Sequence, residues 1–359
     1  MARTVIPFGP QHPVFPEPIQ LKLECEDERV VGAVPVIGYI SRGIEKAAEL
    51  NPFRNNIFLC ERVCGICSFM HALCYCQGIE DMMKVEVPTR ARFLRVFWAE
   101  LSRMHSHLLW LGLLADSFGF ESLFMQVWRA REIILDISEM TSGHRIIQST
   151  NVIGGVRRDI DKEMAKKVEE MLVQFKQLTD RSILPTILND PTIKERTVGK
   201  GILTKEQAEL LAAVGPTLRG SGVASDMRMT EYAAYKEIGF EPVVETASDS
   251  YARTLVRVKE IYQSLDIILK ALSMMPEGDI AIRVTGRPEG EVVSRVEQPR
   301  GELIYYVKGN GTANLERLKI RTPTFANVPP LLVMLPGCEL ADVPVITLSI
   351  DPCIACCER

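Results

Sequence analysis

The sequence has no basic excess. Lysine and arginine number 42 against 46 aspartates and glutamates, for a net charge of −4 and a pI near 5.9. That excludes a general nucleic-acid binder, which carries a surplus of positive charge. Nor is there a long apolar run. The longest strongly apolar stretch, Leu108–Ala115, is eight residues, and a membrane-spanning helix needs about 20. Any membrane association is therefore expected to come through a partner. The opening MARTVIPFGPQHP lacks the apolar core and small-residue cleavage site of a signal peptide. Internal repeats and low-complexity segments are missing as well.

What the chain does have is cysteine. Ten stand at positions 25, 60, 64, 67, 74, 76, 338, 353, 356 and 357. With 359 residues, 47% of them hydrophobic, the chain is too long and core-rich for a disulfide scaffold. A reducing compartment with metal-bound thiolates is the better reading.

The pattern along the chain predicts an α+β fold: a large central helical bundle with β-containing terminal regions. Ile19, Leu21 and Leu23 alternate with polar residues, and Val30–Ile37 is a second strand candidate. Ser41–Leu50 reads as a short helix capped by Ser41. From Pro88 to about Met140 the pattern is helical, with Phe93, Phe97 and Leu101 at four-residue spacing and a break at Gly119. Further helices are expected at 161–179, 204–214 and 248–274. Residues 280–322 read as strands, and 322–352 as irregular, ending in an apolar strand Val345–Ile350. We expect one domain over 1–359: an N-terminal region to 87, a helical centre over 88–279 and a C-terminal region over 280–359.

Two Cys-x-x-Cys pairs carry the chemistry: Cys64/Cys67 in ERVCGICSFMH (61–71) and Cys353/Cys356 in DPCIACCER (351–359). Such a turn aims two thiolates at one metal, and Gly65 relieves crowding in the first loop. Four thiolates suit zinc, an iron–sulfur cluster or a low-potential nickel site. Paired cysteines most often hold structural zinc. Zinc ribbons, however, separate their pairs by about 15–20 residues, and here Cys67 and Cys353 are 286 apart. A catalytic centre between two terminal segments fits that separation better than a staple does.

These two motifs resemble the signatures of nickel–iron hydrogenase large subunits. Gly9-Pro-Gln-His-Pro13, Arg42-Gly-Ile-Glu45, Glu297-Gln-Pro-Arg-Gly301 and Arg321-Thr-Pro-Thr-Phe325 also resemble family blocks. The GPQHP and LRGSGVASDMR (218–228) blocks narrow the resemblance to the group 4, energy-converting, membrane-complex hydrogenases. These are relatives of the quinone-site subunit of respiratory complex I.

The resemblance implies Cys64 and Cys353 as terminal nickel ligands and Cys67 and Cys356 as bridges to an iron that carries CO and cyanide. It implies His71 as a donor to a bridging sulfur, and Pro299, Arg300 and Thr324 as the lining of the diatomic ligands. Glu17 matches the proton-gate glutamate, with Cys353 as the first base. A magnesium or iron ion near Glu45 is completed in many members by a C-terminal histidine. Arg359 stands there in this chain, which argues against the ion, and a Glu45–Arg359 pair is the alternative. His12 matches a quinone-facing histidine of complex I and is read here as a structural or proton-path residue. His105 and His107 are expected on a helix surface or in packing, and the six remaining cysteines as buried small hydrophobes.

The implied partners are a small subunit carrying a [4Fe–4S] cluster, further iron–sulfur and integral membrane subunits, ferredoxin through them, and a maturation endopeptidase. The chain itself shows no iron–sulfur motif. Its end at Arg359 matches either a processed C-terminus or a chain trimmed to that point. The expected function is reversible reduction of protons to H₂ on the cytoplasmic side of a membrane. The alternatives are a complex I-like quinone-site or coupling subunit, which lacks the four cysteines, and a zinc-stapled structural protein.

Overall fold

The computed structural model describes residues 3–359. The first two residues of the expected N-terminal β region lie outside the described residues. Strands β1 (Arg3–Phe8), β2 (Gln20–Glu26) and β3 (Arg29–Val36) form an antiparallel sheet in chain order. Leu21, Leu23 and Cys25 of β2 are buried and Lys22 is exposed, the alternation of a half-buried strand. Helix α1 (Ile44–Leu50) starts later than the sequence pattern predicts. Gly43, at φ 65°, precedes it and no side chain caps it, so Ser41 is not the cap. The left-handed turn at Gly43 delivers the chain into the helix instead. Helices α2 (Asn56–Glu61) and α3 (Ser68–Met83) flank the first cysteine pair.

The helical centre is built on α4 (Thr89–Ser117) and α5 (Glu121–Ser142), separated at Gly119 with φ 78°. A small hairpin, β4 (Asn151–Val152) and β5 (Gly155–Val156), follows. Helix α6 (Lys162–Leu178) is capped by Asp161, whose side chain accepts from Met164 N–H. Short helices come next: α7 (Leu184–Asn189), α8 (Pro191–Thr197), α9 (Lys205–Leu210), α10 (Pro216–Arg219) and α11 (Tyr235–Ile238). The long α12 (Ser250–Met274) then packs along α4. Phe93, Phe97 and Leu101 of α4 are buried as their spacing predicts, but so are Glu100, Arg103, His105 and His107. α4 is therefore enclosed on its polar side too. Of the two placements expected for the histidines, packing holds and the helix surface does not: both are buried, His107 against Glu260 of α12.

The C-terminal sheet orders β6 (Glu289–Gln298), β7 (Gly301–Asn310) and β8 (Leu315–Arg321) antiparallel. Helix α3 lies on it, and Gly78 permits the close approach: a Cβ there would sit 3.2 Å from Ser294 Cβ. Beyond the sheet the chain is not irregular. Residues Pro323–Met334 form α13, Val343–Ser349 form α14 and Ile354–Cys357 form α15. The expected strand Val345–Ile350 is helical because Pro344 sits in a first turn, where its missing N–H costs nothing, and the apolar run is buried against α4 and α12. The mixture of helix and sheet agrees with the α+β expectation.

Candidate metal centre

The first cysteine pair lies in the loop from α2 into α3; of the second, Cys353 precedes α15 and Cys356 lies within it. The fold brings the loops together. Cys64 Sγ is 3.3 Å from Cys353 Sγ, and Cys67 Sγ is 3.6 Å from Cys356 Sγ. The sulfurs of Cys64, Cys67 and Cys356 all lie within 4.8 Å of one another. All four residues are buried. Backbone N–H groups point at the sulfurs: Ile66 N donates to Cys64 at 3.3 Å and Cys356 N to Cys353 at 3.4 Å. Sulfurs this close cannot each carry an unshared charge. Cys64 is held well below the ordinary thiol range by the S–H groups of Cys353, Cys356 and Cys67. The other three are pushed above it.

Arg42 ties the two loops. Its guanidinium donates to the carbonyls of Arg62 (2.9 Å) and Val63 (3.0 Å) on one side and Ala355 (2.6 Å) on the other. The sequence pattern gave this residue no role. Glu358 adds a second tie, accepting from Gly38 N–H and, at 2.5 Å, from Ile40 N–H.

His71 sits on α3, four residues after Cys67. Its Nε2 lies 3.6 Å from Cys356 Sγ and its Nδ1 2.8 Å from Tyr305 OH. The network assigns Nε2–H as the donor to sulfur and Tyr305 OH as the donor to Nδ1. Burial pushes the imidazole down to about 4, so it is neutral near pH 7. Tyr305 is a second participant that the sequence pattern did not single out, since its contact spans 234 residues.

Pro299 and Arg300 form the two-residue tip of the β6–β7 hairpin, between the paired residues Gln298 and Gly301. The tip packs on Gly215, where a Cβ would meet Arg300 O at 2.3 Å. Arg300 donates from Nε to Asp351 O at 2.8 Å and pairs from Nη2 with Asp351 Oδ1 at 2.9 Å. Its Nη1 is buried with no partner, as is Asp351 Oδ2. Thr324, at the start of α13, accepts from Cys353 N–H at 3.2 Å.

Glu17 reaches the same loop. Its Oε2 accepts from Ile354 N–H and, at 2.9 Å, from Ala355 N–H. Burial raises its carboxyl against those two donors. A cavity of about 310 Å³ is lined by Glu17, Arg300 and Cys353 and by apolar Leu109, Leu113 and Trp128. His12 stands apart, half-buried, stacked on Phe8 with ring centroids 4.0 Å apart.

Glu45 does not face the sulfurs. It is engaged by Arg359 (2.8 Å), Lys319 (2.9 Å) and Ile320 N–H (3.0 Å). Burial pushes its carboxyl up, but Arg359, Ile320 N–H and Lys319 outweigh burial and hold it below the usual range. Of the six other cysteines, Cys25, Cys60, Cys74, Cys76 and Cys357 are buried and Cys338 is half-buried.

The residues fit a soft metal group. Four converging thiols are a donor set for nickel, iron or zinc. The unpartnered Arg300 Nη1 is a buried donor that an anionic or polar group would satisfy.

Comparison with known proteins agrees. The family model described as nickel-dependent hydrogenase matches residues 42–116. The model described as respiratory-chain NADH dehydrogenase, 49 Kd subunit, matches residues 117–285 and 281–359. The chain is 40% identical to the carbon monoxide-induced hydrogenase of Rhodospirillum rubrum, over 100% of both. It is 38% identical to the alpha subunit of the membrane-bound hydrogenase of Pyrococcus furiosus, over 99% of this chain and 87% of that one. Identity to one subunit of the F(420)H(2) dehydrogenase of Methanosarcina mazei is 36%, over 99% of this chain and 97% of that one. The chain belongs to the family of large subunits shared by nickel-dependent membrane-bound hydrogenases and the 49-kDa subunit of respiratory NADH dehydrogenase, and it is an oxidoreductase acting on H₂.

Proposed function

We propose that this chain is the catalytic subunit of an energy-converting hydrogenase of group 4, interconverting H₂ with two protons and two electrons. The observation that carries the reading is the convergence of all four sulfurs, Cys64 on Cys353 and Cys67 on Cys356, from opposite ends of the chain. Cys64, Cys67, Cys353 and Cys356 would hold the nickel–iron centre, Cys64 and Cys353 as terminal ligands and Cys67 and Cys356 as shared ones. The bound centre supplies polarisation of H₂ and exchange of its electrons.

The chain's own residues hold and move the protons. Cys353 Sγ takes the first proton. Glu17, against the Ile354 and Ala355 amides of the same loop, relays it outward; a carboxyl raised by burial is suited to that exchange. His71 donates to Cys356 and tempers its basicity. Arg300 and Thr324, with Pro299 beside them, would line the CO and cyanide ligands of the bound centre, the unpartnered Arg300 Nη1 being free for a charge-assisted bond. The apolar cavity beside Cys353 gives H₂ a way in.

Among the described residues no helix is long and apolar enough to cross a membrane. The relatives are subunits of membrane-bound or complex I-like assemblies. We assign this chain to the cytoplasmic face of a membrane, with ion translocation in integral membrane subunits. Electrons come from reduced ferredoxin through a small subunit carrying a [4Fe–4S] cluster. A maturation endopeptidase is a further partner that the resemblance implies. The complex I-like alternative is not favoured, because that class lacks the four cysteines.

The test is metal analysis and infrared spectroscopy of the native complex with a ferredoxin-dependent hydrogen assay. One nickel per chain, bands of metal-bound CO and cyanide, and H₂ evolution are expected. Zinc alone in active material overturns the assignment.

A further inference from the structure

The hairpin that carries Arg300 is rooted in a second cluster of buried charge. Glu297 stands three residues before Arg300. Its Oε1 accepts from Arg219 Nη1 at 2.8 Å and its Oε2 from Met227 N–H at 3.0 Å. Arg219 continues to Glu260, Nη2 to Oε1 at 2.7 Å, and the other oxygen of Glu260 meets His107 Nε2 at 2.8 Å. On the far side Arg228 pairs with Asp226 (2.7 Å) and Glu100 (3.3 Å). Arg103 pairs with Glu100 (3.2 Å) and donates to the carbonyls of Glu297 (2.7 Å) and Gln298 (3.3 Å). Each of these charged side chains is fully enclosed, or within 2% of it.

The charges do not balance. Three guanidiniums, Arg103, Arg219 and Arg228, face four carboxylates, Glu100, Asp226, Glu260 and Glu297. The next cation, Arg257, lies in the field of Asp351 and Glu260 and not of Glu297; it stacks on Trp110 at 4.3 Å and enters no ion pair among the described residues. A surplus negative charge in an enclosed site is costly, and a proton removes it. Three of the four acids are already well compensated. Glu100 receives hydroxyls from Tyr235 and Ser264 besides its two arginines. Asp226 has Arg228 in bidentate contact, Nε to Oδ1 and Nη2 to Oδ2, and Glu260 has two bonds from Arg219 and one from His107. Glu297 has one guanidinium nitrogen, shared with Ser225 O, and Tyr232 OH contacts only its backbone. It also lies in the field of Asp226. Burial and then Asp226 push its carboxyl up to about 7, against Arg219 and Arg103.

We propose that Glu297 is a redox-linked proton site: its carboxylate binds one proton from water when electrons enter the neighbouring metal centre and releases it when they leave. No electron resides on Glu297; a carboxylate and a proton become a carboxylic acid, and the reverse. The coupling is electrostatic. Added negative charge beyond Arg300 raises proton affinity at the other end of the same hairpin tip. The proposal rests on the hydrogenase assignment above.

Reduced-minus-oxidised infrared difference spectra of the native complex, in H₂O and D₂O, test both at once. A carboxylic C=O band is expected to appear on reduction, to move in D₂O and to be lost in Glu297→Gln, while the CO and cyanide bands still shift. If the CO and cyanide bands shift with no carboxylic band, or if that band persists in Glu297→Gln, the proposal is overturned alone. Absence of CO and cyanide bands overturns the hydrogenase assignment and the proposal with it. Should Glu297→Gln fail to fold, Glu297→Asp must displace the band; an unmoved band overturns the proposal.

Discussion

Arg359 donates from Nε to Glu45 Oε1 across 2.8 Å, while its guanidinium also lies 5.5 Å over the Phe325 ring. A cation thus stands where the resemblance implied a histidine and an ion. A guanidinium has no lone pair to give a metal, and it satisfies Glu45 without one. The expected native metal content is therefore that of the sulfur centre alone. Arg359→His should free Glu45 for a divalent ion. Elemental analysis showing one additional magnesium or iron per chain in the variant, and none in the parent, is the expected outcome.

The same pair sets an acid limit. The Glu45 carboxyl is depressed below its ordinary 4.5. Its contribution to stability is complete above that unfolded value and is lost as pH falls through the lower folded one. Glu45→Gln should lower the thermal midpoint at neutral pH. The gap to the parent should close as both are titrated from neutral pH down through and below the ordinary 4.5. A gap that widens in acid would contradict the assignment of the charge to Glu45.

Arg42 holds one cysteine loop to the other through three carbonyls. Arg42→Ala should cost about 1–2 kcal/mol, since bonds to a charged donor are worth more than neutral ones. The sharper consequence is lower nickel occupancy after expression with the maturation machinery. Arg42→Lys should recover little of it, because a single ammonium cannot reach the same three acceptors.

Tyr305→Phe removes the donor to His71 Nδ1. A buried unpaired acceptor costs about 1–3 kcal/mol, and the imidazole loses the contact that fixes its tautomer. Nickel should remain bound, while the CO and cyanide stretching bands shift in the infrared, reporting a changed Cys356 sulfur.

Glu17→Gln should leave metal binding intact and reduce turnover by about 10²–10⁴, the range of a lost proton-transfer group. Exchange of H₂ with solvent deuterons, measured by mass spectrometry, should fall in step. Unchanged exchange would remove Glu17 from the path.

The legible parts of this chain were those governed by local pattern. Leu21 and Leu23 announced a strand, Phe97 and Leu101 a helix, and the two cysteine pairs a metal centre. The tail was misread because the apolar run Val345–Ile350 suits a buried helix as well as a strand. Pro344, just before it, is compatible with a helix's first turn. The pattern left His105 and His107 open between helix surface and packing, because what buries His107 is Glu260 from a distant segment, and no spacing rule reports that. Arg42 and Tyr305 escaped for the same reason. Arg42 acts on backbone carbonyls, which every residue has, and the contact of Tyr305 with His71 spans 234 positions.

The packing of the β6–β7 tip on Gly215 has a consequence for electron transfer. Arg300 is fixed by backbone contact beneath it and by Asp351 in front of it, before any electron arrives. The positive charge that Arg300 sets beside the cysteines is therefore held in one place. The reorganisation energy of the surrounding protein is kept small in advance, and both directions of the reaction can run close to equilibrium with little driving force.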